Sequence, residues 1–471
     1  MTAAEAREHC RSLFLETLDS LQVPPRLRQT IKLHKNILAI GDDSYPLSKF
    51  RDIRIVSFGK AALEMAETAA EILGSEGRQR TASLRGIVVS PSPATQRPIL
   101  LANSEQTSAG RASQCFAPRP AFQYFHAGHP YPDEGSWKAA VAVIDFLEDC
   151  SPNDLVLFLI SGGGSALLEK PLHSSINLED LRKFYEVLVT CGIGIKETNI
   201  LRKHFSAVKG GRLALQASPA AQVTLFVSDV PEHLSSTVAS GPTMPDQSTV
   251  EDCRLIVSKK RLLEKFPASI RALLESGDLP ETPKPGDPRF ARSRYYCLMS
   301  NRDGVEKLAQ LARAKGFCVE IDAGCDDWHF QRAADYLLAR LEALRKQNPK
   351  APVLLVSGGE LSSPVPEGGT TGRGGRNQAF VLHCVGKIAG RDMVVLSAGT
   401  DGFDGNSPAS GAIADGGSAR RAEALGLDAE KYLAAGDSYS FFEKLNDAIV
   451  TGPTGTNVRD LRLLLAYSRP D

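Results

Sequence analysis

The sequence carries no net charge: 55 Lys and Arg residues are matched by 55 Asp and Glu over 471 residues. That balance excludes a nucleic-acid binder that relies on a broad basic surface, so any anion site must be local. No apolar run approaches the roughly 18–20 residues that cross a bilayer. The longest are strand-like, such as Leu155 to Ile160. The opening MTAAEAREHC lacks the charged-then-apolar pattern of a leader. Nine cysteines are scattered from Cys10 to Cys384 without a CxxC pair, which reads as reduced thiols, not as a disulfide frame or zinc site. Cytoplasm is the expected compartment, with no membrane and no nucleic-acid partner. Standard nucleotide fingerprints are missing too. Gly59-Lys60-Ala61 lacks the upstream glycine and the following Ser/Thr of a P-loop. Gly192-Ile193-Gly194 meets Glu197 where a third glycine belongs, and Gly372-Arg373-Gly374 meets Asn377. These gaps count against a P-loop ATPase and an NAD(P) enzyme.

What is present is an α/β pattern long enough for two domains or three. The first 80 residues read as helical with one strand, Ile53 to Ser57, ending at Gly59 and followed by helix-forming residues Ala61 to Leu73. Strand, glycine turn and helix make the βα unit of a parallel sheet. A second strand covers Gly86 to Val89. Residues 90–120, rich in Ser, Pro, Ala and Gln, read as a loop insertion. A helix is expected from about Ser136 to Asp149. Asp154 to Ile160 is the clearest buried strand, because a continuous apolar run suits a parallel strand covered on both faces. Further strands are expected at Val223–Val227, Tyr295–Met299, Val353–Val356 and Met393–Leu396, with helices at 304–315 and 330–346. The proline-rich stretch 277–292 reads as a connector. The expected architecture is a Rossmann-like parallel-sheet domain, 1–245, and a second α/β domain, 246–471.

Three strand ends run into glycine-rich turns: Ser161-Gly162-Gly163-Gly164-Ser165, Ser357-Gly358-Gly359-Glu360 and Ala398-Gly399-Thr400-Asp401-Gly402. Glycine admits close backbone approach, and the N–H groups of such turns attract anions. One turn alone is as well read as a tight βα connection; three point to phosphate. Lys60 stands in a strand-to-helix turn, where it is either a solvated surface lysine or a charge aimed at a ligand. Arg202-Lys203-His204 and Lys209-Gly210-Gly211-Arg212 form a local basic cluster, or else a charged helix face. In Gly372-Arg373-Gly374-Gly375-Arg376-Asn377-Gln378, two arginines on glycine-rich backbone can fork onto carboxylate or phosphate. Asp229, Asp401 and Asp404 follow strands and can hold Mg²⁺ beside phosphates, accept a hydroxyl proton, or cap the next element. His129 and His204 read as structural histidines. The set suits phosphoryl transfer without identifying the acceptor.

The wording of these motifs resembles the class II glycerate 2-kinase family, whose C-terminal half carries a MOFRL domain. The stretches are SFGKAA at 57–62, AGHPYPDE at 127–134, LISGGGSALLEKP at 159–171, NILRKHFSAVKGGRLA at 199–214, SDVP at 228–231, ASGPTMPD at 239–246, ETPKPGD at 281–287, SGGE at 357–360, GRGGRNQ at 372–378, GTDGFDG at 399–405 and TGPTGTNVRDLRLLL at 451–465. They occur in family order along nearly the whole chain. The resemblance implies ATP-dependent phosphorylation of D-glycerate to 2-phosphoglycerate with Mg²⁺, in a cleft between two α/β domains. It implies that Lys60 is the catalytic lysine, Arg376 the catalytic arginine and Asp229 an active-site acid. The turn Gly162, Gly163, Gly164, Ser165 and the residues Ser357, Gly358, Gly359 are then expected to bind nucleotide or phosphate. Arg202, Lys209, Arg373 and Asn377 are expected at the substrate, and Asp229, Asp401 and Asp404 at the metal. The expected partners are D-glycerate, ATP and a second copy of the chain in a homodimer.

The chain departs from the family pattern at three places. Glu232, His233 and Leu234 replace the Gly-Asp-Asp that usually follows SDVP. Asn406 to Gly411 lack the acid that usually follows the Asp-Gly pair. Ser90-Pro91-Ser92-Pro93 opens the insertion where Thr-Lys-Tyr-Gly is usual. Two other readings therefore stay in view: a hydroxypyruvate reductase of tartrate catabolism, and a non-catalytic binder of phospho-metabolites.

Overall fold

In the computed structural model, residues 1–75, 82–91, 121–363 and 372–468 are described. Most of the insertion expected at 90–120 lies outside them. The chain divides into two compact units. One, the parallel unit, comprises Val23–Ser228 and Glu232–Leu298. The other, the mixed unit, comprises Met1–Gln22, Asp229–Pro231 and Met299–Asp471. Among the described residues no helix is long and apolar enough to cross a membrane.

The parallel unit opens with a small antiparallel sheet of β1 (Ile31–His34), β2 (Ile37–Ile40) and β3 (Asp43–Pro46). The sequence reading expected helix here. Its missed signal is a pair of two-residue hairpin turns, Lys35-Asn36 and Gly41-Asp42. Lys35, Asn36 and Gly41 all take the positive φ that such turns require.

The main sheet contains β4 (Asp52–Phe58), β5 (Ser83–Ser90), β6 (Ala121–His126), β7 (Asp154–Ile160), β8 (Ala221–Val227) and β9 (Ser293–Met299), in the order β6-β5-β4-β7-β8-β9. From β6 to β8 every neighbouring pair is parallel. All residues of β4, β7 and β8 are buried, as their near-continuous apolar sequences require. The chain builds outward from β4 to β6, then returns to lay β7 beside β4. That reversal opens a crevice at the carboxyl ends of β4 and β7, the usual ligand position in open α/β sheets. The register pairs Phe58 with Ile160, so the turns that follow these two residues are adjacent. The helix Glu134–Glu148 is started by Asp133, whose carboxylate accepts the N–H of Ser136 (2.9 Å). A separate helical core gathers Phe184, Phe205 and Phe266, with ring centroids 5.1 and 5.2 Å from Phe184. Burying each such ring contributes about 1.5–3 kcal/mol.

The expected break at 245/246 falls inside this unit. The connector 277–292 packs on it, where Thr282 Oγ1 donates to Asp246 Oδ2 (2.9 Å), and it leads into β9 of the same sheet. The chain changes unit between Leu298 and Met299.

The mixed unit holds β10 (Cys318–Ile321), β11 (Val353–Gly358), β12 (Met393–Gly399), β13 (Gly411–Asp415), β14 (Ala448–Ile449) and β15 (Asp460–Ala466), in the order β10-β11-β15-β12-β13-β14. β10 and β11 are parallel, and β15 is inserted antiparallel between β11 and β12. Leu461 faces Gly358 and Asp460 faces Gly399, so the first residues of β15 meet the carboxyl ends of both neighbours. The helix Ala3–Ser20 belongs to this unit. Its buried Ala6, Cys10, Leu13 and Phe14 join a core with Leu308, Val356, Leu461 and Leu463.

Candidate active-site residues

In the parallel unit the candidate site is the crevice between β4 and β7. Gly59 has φ 125°, and a Cβ there would strike Ser161, so only glycine lets the first turn pass the second. The turns are bonded to each other. Lys60 N–H donates to the Gly162 carbonyl (2.9 Å), and Ala61 N–H donates to Ser161 Oγ (3.0 Å). Gly163 has φ 85°; a Cβ there would lie 3.1 Å from His129 Cδ2 and 3.4 Å from Lys60 Cγ. The imidazole and the lysine stem thus converge on this glycine, and Lys60 is solvent-exposed. Among the described residues, no acceptor takes the N–H groups of Gly162, Gly163 or Gly164.

The other two glycine-rich turns differ. Gly359 N–H donates to Asn301 Oδ1 (2.7 Å) and Glu360 N–H to Asp326 Oδ1 (3.0 Å). Arg462, buried on β15, donates to the carbonyls of Gly358 (2.6 Å) and Gly359 (2.7 Å), and Ser357 is buried. In the third turn, Gly399 N–H goes to Ser410 (2.7 Å) and Thr400 N–H to Arg459 (3.0 Å). Among the described residues, the turn at 161–165 keeps three successive N–H groups, those of Gly162, Gly163 and Gly164, for an anion.

Beneath that turn lie the basic residues read from the sequence. Ser165 Oγ is 2.8 Å from Ser240 Oγ, whose hydroxyl donates to Asn199 Oδ1 (2.8 Å). Arg202 stacks on Tyr185, 4.7 Å from its centroid, and the Tyr185 hydroxyl donates to the Ser165 carbonyl (3.0 Å). Lys209 is buried against Glu169 Oε2 (2.6 Å) and the Leu168 carbonyl (3.0 Å). Burial holds its ammonium below the ordinary lysine range despite Glu169. Arg202 and Lys209 thus form a charged floor under residues 161–169, not an open basic face. His204 is buried with Nδ1 on the Ile200 carbonyl (2.9 Å).

In the mixed unit Arg376, Asp404, Glu360 and Asp460 gather where β11, β12 and β15 meet. Arg376 is the first residue of the helix Arg376–Lys387. Its Nε and Nη2 fork onto Asp460 Oδ2 and Oδ1 (2.6 and 3.0 Å), and Nη2 also reaches Glu360 Oε1 (3.0 Å). Burial alone would raise the Asp460 carboxyl; Arg376 wins and holds it below the usual range. Glu360 is pushed up to about 7, first by loss of water around it and then by Asp460 and Asp229, against Arg376 and Arg459. Asp404 is buried under the same helix. It accepts the N–H groups of Asn377 (3.1 Å) and Gln378 (2.8 Å), and burial pushes its carboxyl up to about 7.

Asn377 is itself buried, with Oδ1 accepting from Ser397 Oγ (2.6 Å) and Nδ2 directed at Asp404 (3.3 Å). Arg373 lies over Tyr439 (4.6 Å) and pairs with Glu443 (3.3 Å). Asp401 accepts the Phe403 N–H (3.1 Å). Asp229–Pro231, leaving β8, falls in this unit. Sequence reasoning missed Asp460 and Glu360. Glu360 occupies the same strand-end position after β11 as Asp229 does after β8, a signal that could have found it. Asp460 had none, because its place depends on the nonlocal insertion of β15.

Residues 9–275 match a family model described as a domain of unknown function, DUF4147, and residues 353–460 match the MOFRL family. A D-glycerate 2-kinase of Thermotoga maritima is 35% identical over 89% of this chain and 92% of its own. A putative hydroxypyruvate reductase of Agrobacterium vitis is 38% identical over 74% of this chain and 78% of its own. The crystal structure of glycerate kinase from Thermotoga maritima superposes with a TM-score of 0.75 at 31% identity, covering 98% of this chain and 100% of that one. Domain content, sequence and fold agree, and the chain belongs to the class II, MOFRL-containing glycerate kinase family.

Proposed function

We propose that this chain transfers the γ-phosphoryl group of ATP to the 2-hydroxyl of D-glycerate, giving 2-phosphoglycerate and ADP. One observation carries the reading beyond family membership. At the reversal point of the parallel sheet, the unspent N–H groups of Gly162–Gly164 stand beside exposed Lys60. Backbone donors and a lysine at such a crevice suit the phosphates of a nucleotide. Lys60 neutralises phosphate charge. Arg376, pre-oriented by Asp460, offers its remaining guanidinium face to phosphoryl oxygens, and Asp229 is an active-site acid of the same unit. Ser357, Gly358 and Gly359 serve by fixing Glu360 rather than by donating N–H groups to phosphate. Arg202 and Lys209 support the 161–169 segment from below.

Magnesium belongs to the nucleotide substrate in this reading. Among the described residues no group of three His, Cys, Asp or Glu side chains could hold a metal ion. Both Asp404 oxygens already accept helix N–H groups. Asp404 is therefore committed to its helix rather than to a metal.

The sheet order β6-β5-β4-β7-β8-β9 is also the order that binds dinucleotides, and the Agrobacterium relative carries a reductase name. Against that reading, the turn after β4 is Phe58-Gly59-Lys60-Ala61, with one glycine and a lysine where a dinucleotide site needs three glycines. Mixing the protein with hydroxypyruvate and NADH separates the two: the kinase reading predicts no NADH loss, and ATP-dependent product with D-glycerate.

A further inference from the structure

We propose that Glu360 is the general base of the transfer, taking the proton of the acceptor hydroxyl as its oxygen attacks phosphorus. This rests on the kinase reading and deepens it.

Asp460, Asp404, Asp326 and Glu360 divide by how their oxygens are used. Asp460 is buried, with both oxygens on Arg376. Asp404 is buried, with both oxygens on helix N–H groups. Asp326 is forked by Arg459, at 2.7 Å to Oδ2 and 2.6 Å to Oδ1. Glu360 differs. Its side chain keeps 34% exposure, and among the described residues only Oε1 is held, by Arg376 Nη2 at 3.0 Å.

Its backbone, in contrast, is clamped. Gly359 has φ 83°, and a Cβ there would lie 2.6 Å from Asp326 Oδ1. The Glu360 N–H is fixed on Asp326, and the two preceding carbonyls are fixed on Arg462. A reachable oxygen on a locked turn, bonded to an arginine that can hold phosphoryl oxygens, is what positioned proton transfer requires.

The charged groups that act most on Glu360 are Arg376 from its helix, Asp460 and Arg459 from β15 and its approach, and Asp229 from the segment after β8; the Asp326 carboxylate accepts its N–H. Their sum leaves a carboxyl that is ionised just above neutrality and still basic enough to take a proton there. In the step, the hydroxyl O–H breaks and its proton goes to Glu360. The hydroxyl oxygen bonds to the γ-phosphorus. The bond from phosphorus to the bridging oxygen breaks, and its electron pair leaves with ADP.

The test is the pH profile of kcat at saturating Mg·ATP and D-glycerate for wild type, Glu360→Gln, Glu360→Asp and Asp229→Asn. Wild-type kcat should rise with pH through about 7, the range of Glu360. Glu360→Gln should lower kcat by about 10²–10⁴-fold and erase this limb, with KM little changed. A limb owned by the nucleotide would persist in Glu360→Gln. Glu360→Asp should keep a limb at reduced kcat, and it carries the test if the glutamine variant fails to fold. Asp229→Asn removes a like charge and should move the limb to lower pH without erasing it. A Glu360→Gln enzyme that keeps the limb, or an Asp229→Asn enzyme that alone loses it, overturns the assignment. Wild type that forms no ATP-dependent product overturns the kinase reading itself.

Discussion

Replacing Arg376 by alanine separates its structural duty from its chemical one. The guanidinium forks onto Asp460, whose side chain is 1% exposed, and touches Glu360. Removing one partner of a fully buried pair costs about 3–5 kcal/mol, because the other charge is left without compensation. A third of the Arg376 side chain is exposed, so water will partly screen the loss. About 2–3 kcal/mol is the expected cost in the mixed unit, a fall in its Tm of roughly 4–12 °C.

The pH dependence follows from the sign of the shift. In wild type, Asp460 titrates below its unfolded value, so its pairing stabilises the fold above the ordinary carboxylate range and is lost as pH falls through the depressed value. Without Arg376, burial raises the same carboxyl, and folding then costs most where the unfolded chain is ionised. The Tm deficit of Arg376→Ala should therefore be larger at pH 8 than at pH 5. Arg376→Ala/Asp460→Asn removes the stranded charge and should recover most of the Tm while turnover stays lost. Scanning calorimetry and a coupled ADP assay on the three proteins decide the matter. Recovered turnover in the double variant would refute a chemical role for Arg376. An unchanged Tm in the single variant would refute the buried pair.

Three other outcomes are expected. Lys60→Ala should keep the wild-type Tm, since the side chain is exposed, yet lose nearly all kcat; a folded variant with near-normal kcat would remove Lys60 from the mechanism. Gly163→Ala forces a Cβ into φ 85° beside His129 and Lys60. It should cost about 1–2 kcal/mol of stability and weaken ATP binding measured by calorimetry; unaltered nucleotide affinity would show that the turn does not receive phosphate. Mg²⁺ titrated alone should give little heat, while an ATP analogue should bind better with the metal than without. Tight Mg²⁺ binding without nucleotide would contradict a metal that arrives with its substrate.

Much of the fold was legible because its signals are local. Asp154 to Ile160 reads as a buried parallel strand from its unbroken apolar run, and the glycines at 162–164 mark the turn beyond it. Lys60 and Arg376 drew attention as cations beside glycine, and their expected roles came from the family resemblance. What was hidden depends on partners distant in sequence. β15 is short and apolar like any core strand, and nothing within it announces an antiparallel place between β11 and β12. Asp460, which orients Arg376 from 84 residues away, therefore could not be read. Lys209 is the converse case: it reads as part of a local basic cluster or a charged helix face, but Glu169, 40 residues earlier, takes its charge in the interior. The unit boundary was hidden by the proline-rich connector, which looks like a linker but packs on the parallel unit and feeds its sixth strand.

The central claim is the phosphorylation of D-glycerate at its 2-hydroxyl. The most direct test incubates the purified chain with Mg·ATP and D-glycerate and resolves the products by ³¹P NMR against authentic 2- and 3-phosphoglycerate. A resonance of 2-phosphoglycerate that grows with ADP, and is absent without ATP or with Lys60→Ala, is the predicted result. A product that is 3-phosphoglycerate, or ADP formation that does not depend on D-glycerate, would contradict it.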